Sequence, residues 1–198
     1  KTEATDGVEE AGVTIDGTVS FAPPFNYFDL TDGQGLFQVL NSVPVASTMT
    51  ITPAHDNNPL NGVTTYDLVL ISKHILGIEP LGSAYKMIAA DANKSNSITT
   101  FDVVELRKLI LGIYPELPNN TSWRFVEKAQ VFTNPQNPFM DQIRENISVA
   151  NALTNQMDED FVGVKIGDVN NSVVANSAMV SDDRTVGTLM FDVTDRDV

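Results

Sequence analysis

The chain has no cysteine among its 198 residues, and this absence excludes several kinds of site. Disulfide bonds, zinc centres with thiolate ligands and cysteine nucleophiles all require a thiol. Long apolar runs are also missing, since no stretch approaches the roughly 20 apolar residues that a helix needs to span a bilayer. We therefore expect packing, or metals bound through oxygen and nitrogen ligands, to stabilise the fold.

Basic residues are scarce. Twelve Lys and Arg stand against 26 Asp and Glu, which gives a formal net charge of −14. Such a charge disfavours nucleic acids and anionic membrane surfaces as partners, because both repel acidic proteins. The composition favours a cationic ligand instead, and bound divalent cations would offset part of the charge.

The first part of the chain has the composition of short strands. Two β-rich runs flank Asp16-Gly17, a pair that predicts a tight hairpin turn. Residues 36–40 and the alternating residues 48–52 predict further strands. We interpret residues 1–54 as a small β-sandwich or a truncated half of one.

Two later segments are copies of each other at an offset of 35 residues. VTTYDLVLISKHILGI aligns without a gap with ITTFDVVELRKLILGI, and each copy predicts a helix that ends before a glycine, Gly77 or Gly112. Chance similarity between two amphipathic helices could reproduce the apolar positions, but not the shared Thr-Thr-aromatic-Asp start. Internal duplication is the strongest organisational feature of the sequence.

Each predicted helix follows a 12-residue loop whose alternate positions offer oxygen ligands. Calcium takes six to eight oxygens, and such a loop supplies them from positions 1, 3, 5, 7, 9 and 12. Position 6 favours a positive φ angle, and asparagine, which tolerates it, stands there in both loops as Asn61 and Asn96. The predicted ligands are Asp56, Asn58, Leu60, Gly62, Thr64 and Asp67 in the first loop, and Asp91, Asn93, Ser95, Ser97, Thr99 and Asp102 in the second.

The first loop differs from the second at position 5, where Leu60 offers no side-chain oxygen. Either the Leu60 backbone carbonyl binds the ion, which Pro59 and Gly62 favour, or this site is weaker and wetter. A third fragment holds Asp168, Asn170 and Ser172 at the spacing of positions 1, 3 and 5, but neither Thr-Thr-x-Asp nor a helix follows it. It is half a metal site or an ordinary polar turn.

The remainder of the chain is less regular. Residues 123–126, 130–132 and 161–166 predict strands, and residues 171–185 are small and polar, as in a linker. We expect an α+β, multi-domain chain with a β-sandwich at 1–54 and a helical calcium-binding domain at 55–172 that contains a β-rich insert. A linker at 173–186 and the first strand of a further β domain at 187–198 would complete it.

The two loop–helix segments, DNNPLNGVTTYDLVLISKHILG and DANKSNSITTFDVVELRKLILG, resemble the duplicated calcium-binding segments of dockerin domains, in which each loop precedes one helix. Together with FVGVKIGDVN they are similar to dockerin-like modules of large secreted bacterial surface proteins, particularly those exported by the type IX system. This resemblance covers residues 51–172. GLFQVLNSVPVASTMTITP resembles a transthyretin-like or carboxypeptidase-regulatory-like β-sandwich, and GTLMFDVTDRDV resembles the opening strand of a cohesin-like domain.

The resemblance implies a non-enzymatic, calcium-stabilised structural or adhesive module of an extracellular or cell-surface protein, with two bound calcium ions. Its partners would be other domains or copies of the same surface protein, or a cohesin-like domain, without nucleic acid or membrane insertion. The alternative is a dockerin that docks a secreted polysaccharide-degrading enzyme onto a cohesin-bearing scaffold. Its contact surface would then hold Thr65, Tyr66, Lys73, Thr100, Phe101, Arg107 and Lys108.

The chain departs from the standard dockerin pattern at three places. Leu60 occupies a ligand position, residues 113–160 form a long insert, and aromatic Tyr66 and Phe101 stand at loop position 11, where a small hydroxyl residue often meets the cohesin. A third class of function, an enzyme acting on polysaccharide, has no motif in its favour, because none of the 26 acidic residues is singled out as a catalytic pair.

Overall fold

The computed structural model of the chain describes residues 1–20, 22–39, 44, 46–152 and 159–176. Over these residues it contains three α-helices and two antiparallel sheets, which confirms the α+β class. The predicted strand at 187–198 and the linker after residue 176 lie outside the described residues. The elements are β1 (Gly12–Thr18), β2 (Phe25–Leu30), β3 (Ser47–Ala54), α1 (Thr65–Ile75), α2 (Ala84–Ala90), α3 (Thr100–Ile110), β4 (Trp123–Glu127), a 3-10 turn (Pro138–Met140), β5 (Ile147–Ala152) and β6 (Phe161–Lys165).

The larger sheet has the strand order β2-β1-β3-β5. Strand β1 runs straight through Asp16-Gly17, so the hairpin turn predicted there is wrong. Asp16 lies opposite Asn26 on one side and Thr50 on the other, and the Asn26 amide donates to the Asp16 carboxylate at 2.7 Å. A central strand with a partner on each edge forms a full ladder of backbone hydrogen bonds, which outweighs the local turn preference of Asp-Gly.

Most other predicted elements are in place. Both repeat helices are confirmed as α1 and α3, and the strands predicted at 48–52, 123–126 and 161–166 are confirmed as β3, β4 and β6. Residues 36–39 and 130–132 are not strands. Strand β5 belongs to the insert, yet it pairs with β3, and Ile147 faces Ile51 across this pairing. The insert thereby completes the sheet of the N-terminal segment.

The two-stranded sheet of β4 and β6 is the middle layer of the fold. Trp123, Phe125 and Phe161 pack toward the core of the four-stranded sheet, whereas Val126 and Val164 belong to the core formed with the helices. All five residues of β6 are buried, as expected for a strand that is covered on both faces. No described helix has the length and the apolar character required to cross a membrane.

Leu106 lies at the centre of the helical core and is 0% exposed. We expect Leu106→Ala to lower the free energy of unfolding by about 2–5 kcal/mol, because it removes buried methyl groups and leaves a cavity. Urea unfolding monitored by circular dichroism measures this loss. Leu111→Ala is the matched control, since Leu111 is 67% exposed and should change stability by less than about 0.5 kcal/mol. Equal losses for the two variants would contradict the core assignment.

Candidate metal centre

Helices α1 and α3 begin with the same capping box. Thr64 and Thr99 are the N-cap residues, and their backbone N–H groups donate to the carboxylates of Asp67 at 2.9 Å and Asp102 at 2.8 Å. Both aspartates are 0% exposed. One oxygen of each therefore caps a helix at the end where the helix dipole favours negative charge, while the other oxygen faces away from the cap.

The loop at 91–102 closes around its two aspartates. The Asp91 carboxylate accepts hydrogen bonds from the backbone N–H groups of Ser95 and Asn96, both at 2.8 Å. The second oxygen of Asp102 accepts from the Asn93 N–H at 3.2 Å, so the two ends of the loop meet. Asn96 has a φ of 60°, and the conformation predicted for position 6 is confirmed.

Neutral oxygens complete this loop. The Ser95 hydroxyl donates to the Ser97 carbonyl at 3.2 Å, and Thr99 contributes its hydroxyl beside Asp102. From outside the loop, the Asn120 amide donates to the Asp91 carbonyl at 3.0 Å. The structure thus brings all six residues predicted for this loop into one hydrogen-bonded cluster.

The two carboxylates of this loop are buried near each other. Burial raises the pKa of Asp91, and the neighbouring Asp102 carboxylate raises it further, while the N–H groups of Ser95 and Asn96 lower it. Arg124 also lowers the pKa of Asp91, while its Nε atom pairs with Glu145 at 2.6 Å. Among the described residues, no ion pair includes Asp91 or Asp102.

The first half of the loop at 56–67 has a different arrangement. Asp56 accepts from the backbone N–H of Ser122 at 2.6 Å. The Asn61 N–H donates to the Asn58 carbonyl at 3.0 Å. In the other loop, the N–H of Asn96 at the same position donates to the Asp91 carboxylate. The positive φ angle expected at Asn61 is wrong, since Asn58 and Gly62 have positive values of 44° and 77° instead. Glycine at position 62 takes this conformation without steric cost.

The Leu60 backbone carbonyl, predicted as a ligand, is used in a local turn. Its carbonyl accepts from the Val63 N–H at 3.0 Å, and its side chain is 44% exposed. Across the described residues, Asp56, Asn58 and Leu60 form no hydrogen bond with Thr64 or Asp67. The first loop therefore divides into two halves that have separate partners.

The fragment after β6 shares part of its hydrogen-bond pattern and backbone conformation with residues 91–96. The Asp168 carboxylate accepts from the N–H groups of Ser172 at 3.1 Å and Val173 at 2.8 Å. Asn171 has a φ of 60°, close to the 56° of Lys94 at the same place in the other loop. The fragment thus shares the surroundings of its first aspartate with the loop at 91–102, but Val173, in the place of Asn96, has no positive φ angle.

This fragment lies against the second half of the first loop. Asp67 uses its second oxygen to accept the Val169 N–H at 3.0 Å, and the Ser172 hydroxyl donates to the Gly62 carbonyl at 3.0 Å. Asn61 forms two hydrogen bonds with the backbone of Val174, at 2.7 and 3.0 Å. Ser172, at position 5 of this fragment, is therefore beside Gly62 and Asp67. Sequence reasoning found the spacing of the fragment but not that the first loop supplies its second half.

Charges at this second cluster resemble those of the first. Burial raises the pKa of Asp168, N–H groups of the fragment lower it, and the Asp67 carboxylate raises it. Lys165 is the basic side chain nearby: it donates to the Pro59 carbonyl at 2.8 Å, and burial lowers its pKa to about 8 against the influence of Asp168 and Asp56. The Oδ1 atom of Asn170 is buried and has no hydrogen-bond partner.

Both clusters depend on two carboxylates supplemented by neutral oxygens. No group of three or more His, Cys, Asp or Glu side chains with the geometry of a metal site occurs in the part of the chain that the structure describes. Comparisons with protein-family models, with curated proteins and with solved structures found no match for this chain.

Proposed function

We propose that this chain is a non-enzymatic structural module of a large extracellular or cell-surface protein and that bound calcium stabilises it. The observation that supports the proposal most strongly is the loop at 91–102. Its two carboxylates, Asp91 and Asp102, are both 0% exposed and lie in one cluster without an ion-pair partner among the described residues. Buried charges are costly unless a counter-charge compensates them, and a cation would supply it.

The chemistry of the ligands favours calcium over other metals. Carboxylate, amide, hydroxyl and carbonyl oxygens are hard ligands, and calcium accepts six to eight of them in flexible geometry. Magnesium requires a tight octahedron, and zinc prefers nitrogen and sulfur ligands. With two carboxylates in each cluster, we expect affinities on the order of micromolar to millimolar, the range of extracellular calcium modules.

Calcium would act on the fold rather than on a substrate. Residues Asp91 and Asp102 would hold the ion at the N-terminus of α3, and Asp67 would hold a second ion at the N-terminus of α1. The ion would supply positive charge where carboxylates converge, so its binding free energy would add to the folding free energy. Comparing thermal unfolding in calcium and in chelator tests this proposal, and an unchanged melting temperature would contradict it.

The acidic composition and the resemblance to dockerin-like surface modules support an extracellular location. Calcium there is abundant enough to occupy weak sites, and a net charge of −14 is compatible with a module surrounded by dissolved cations. In this setting the module would connect other domains of its parent protein or contact further copies of it, giving a structural or adhesive role.

A second candidate function, docking onto a cohesin-like domain, is favoured by an exposed apolar face on α1 and α3. Both repeats expose the same positions, and a groove of about 580 Å³ lies between the two helices, lined in part by Leu76 and Leu111. An apolar face of this kind is typical of a protein contact. The exposed pairs are Tyr66 and Phe101, Val69 and Val104, Leu76 and Leu111, and Ile78 and Ile113.

The double variant Tyr66→Ser/Phe101→Ser tests this second candidate. The two rings are 58% and 72% exposed, so their loss should leave the melting temperature unchanged. If a purified cohesin-like domain binds the chain, the double variant should weaken binding at least about tenfold, because aromatic residues dominate interface energies. Surface plasmon resonance measures the affinity, and Val131→Ser, at 87% exposure outside the helices, is the control. Unaltered binding by the double variant would exclude this face.

A further inference from the structure

We infer that the second calcium site is composite: Asp168, Asn170 and Ser172 provide its first three ligand positions, and Gly62, Thr64 and Asp67 provide the last three. The inference rests on the proposed calcium-binding function and specifies its second site. It removes Asp56, Asn58 and Leu60 from the ligand set. Two segments about a hundred residues apart would thereby act as one loop, whereas a single continuous segment forms the site at 91–102.

The first half of the composite site shares with the contiguous loop the two N–H groups that bind its first aspartate. Asp168 accepts from the residue four positions later, Ser172, at 3.1 Å, as Asp91 accepts from Ser95 at 2.8 Å. It also accepts from the residue five positions later, at 2.8 Å, the same distance as between Asp91 and Asn96. The two fragments therefore hold their first and fifth residues in the same way. At the third residue they differ, because Asn93 Oδ1 accepts from the Ser95 N–H whereas Asn170 Oδ1 has no hydrogen-bond partner.

The connection between the halves also matches. In the contiguous loop, the Ser95 hydroxyl donates to the carbonyl of Ser97, five residues before Asp102. In the composite cluster, the Ser172 hydroxyl donates to the carbonyl of Gly62, five residues before Asp67. Ser172 thus provides the side-chain oxygen at position 5 that Leu60 lacks. Positions 5 and 7 come from different segments in the composite site, yet the same hydroxyl–carbonyl hydrogen bond joins them.

One observation independent of this hydrogen-bond pattern points to a ligand, and a second shows how closely the two segments pack. The Asn170 Oδ1 atom is buried and has no hydrogen-bond partner. The oxygen at ligand position 3 therefore lacks the donor or cation that a buried amide oxygen requires. Gly62 has a φ of 77°, and a Cβ atom there would lie 2.9 Å from the Asp168 carboxylate and 2.7 Å from the Val173 backbone. Only glycine permits this close approach of the two segments.

The composite site would fasten the segment after β6 to the start of α1. Asp67 and Asp168 are 0% and 4% exposed, and they accept hydrogen bonds from the N–H groups of Val169 and Val173. Asn61 already holds Val174 by two hydrogen bonds, and a shared ion would add a charged link beside them. Calcium would thus fix the position of the chain that leaves the module.

Isothermal titration of calcium chloride into the metal-free chain tests the inference with matched variants. We expect wild type to bind two ions. Ser172→Asp should tighten one site about tenfold, because it adds a carboxylate at ligand position 5, and Leu60→Asp should leave both affinities within about twofold. Asn170→Ala and Asp168→Asn should weaken one site at least about tenfold, whereas Asp56→Asn should not. Ser172 is exposed and Asn170 is partly exposed, so their variants should fold even if Asp168→Asn does not.

The opposite pattern would overturn the composite site alone. Two ions in wild type with tightening by Leu60→Asp, or with the loss of one site in Asp56→Asn, would assign the second ion to the contiguous loop at 56–67. A single ion that Asp102→Asn abolishes and Asn170→Ala leaves unchanged would also reject it, while calcium binding at 91–102 would stand. Absence of any calcium binding by wild type would reject the proposed function itself.

Discussion

Removal of calcium should lower the melting temperature of the purified chain by roughly 10–20 °C. Each site that is saturated to about 100 times its Kd adds about 2.7 kcal/mol to the stability of the folded state, so two sites add about 5 kcal/mol. For a chain of this size, each kcal/mol changes the melting temperature by about 2–4 °C. Without the ions, two buried carboxylates would lie near each other in each cluster, offset by backbone N–H groups and by Arg124 or Lys165 but by no ion pair among the described residues.

Thermal unfolding followed by circular dichroism, in excess calcium and in excess chelator, measures this difference. Magnesium added in place of calcium is the control for ionic strength and for general divalent binding, and it should restore only a small part of the shift because it fits such loops poorly. Identical melting temperatures in calcium and in chelator would contradict calcium stabilisation.

Asp102→Asn should lower the melting temperature by roughly 5–10 °C more in calcium than in chelator. The substitution keeps the size of the side chain but removes one of two carboxylates at the loop of 91–102, so one site and its contribution of about 2.7 kcal/mol are lost. Asp102 also caps α3 through the Thr99 N–H, and losing this bond costs stability in both conditions. The difference between the two conditions therefore isolates the role of Asp102 as a ligand.

Asp141→Asn is the matched control for this variant. Asp141 accepts from the N–H and the hydroxyl of Thr133, at 2.7 and 2.9 Å, in a segment away from both clusters. Its substitution should therefore have the same effect in calcium and in chelator. If Asp102→Asn also lowered the melting temperature equally in both conditions, Asp102 would be a helix cap and not a calcium ligand.

The repeated part of the fold could be predicted from sequence, and the rest could not. Helices α1 and α3 combine a capping residue, apolar periodicity and a terminal glycine in two copies, so several local signals agree. Strand β2 alternates in burial, but exposed Phe28 and Leu30 break the matching alternation of apolar residues. Helix α2 has only seven residues and no copy elsewhere. Strand β5 is determined by its pairing with β3, a contact between distant segments that local sequence does not encode.

Of the two candidate sites, the loop at 91–102 could be predicted from sequence and the cluster at Asp67 could not. The loop at 91–102 is contiguous, and its predicted residues form one cluster because spacing along the chain places them together. The cluster at Asp67 joins residues about 100 positions apart in the chain, so contiguous spacing pointed to Asp56 as the partner of Asp67. The mismatch at Leu60 and the Asp-x-Asn-x-Ser spacing at 168–172 were the two sequence signals for the other arrangement.

Equilibrium dialysis with radioactive calcium counts the bound ions and tests the central claim most directly. We predict two calcium ions per wild-type chain, with Kd values on the order of micromolar to millimolar, and none for the double variant Asp67→Asn/Asp102→Asn. Both substituted residues lie in the repeat helices, one at each cluster. A wild-type chain that binds no calcium at up to about 10 mM free ion, well above the weakest extracellular sites, would contradict the account.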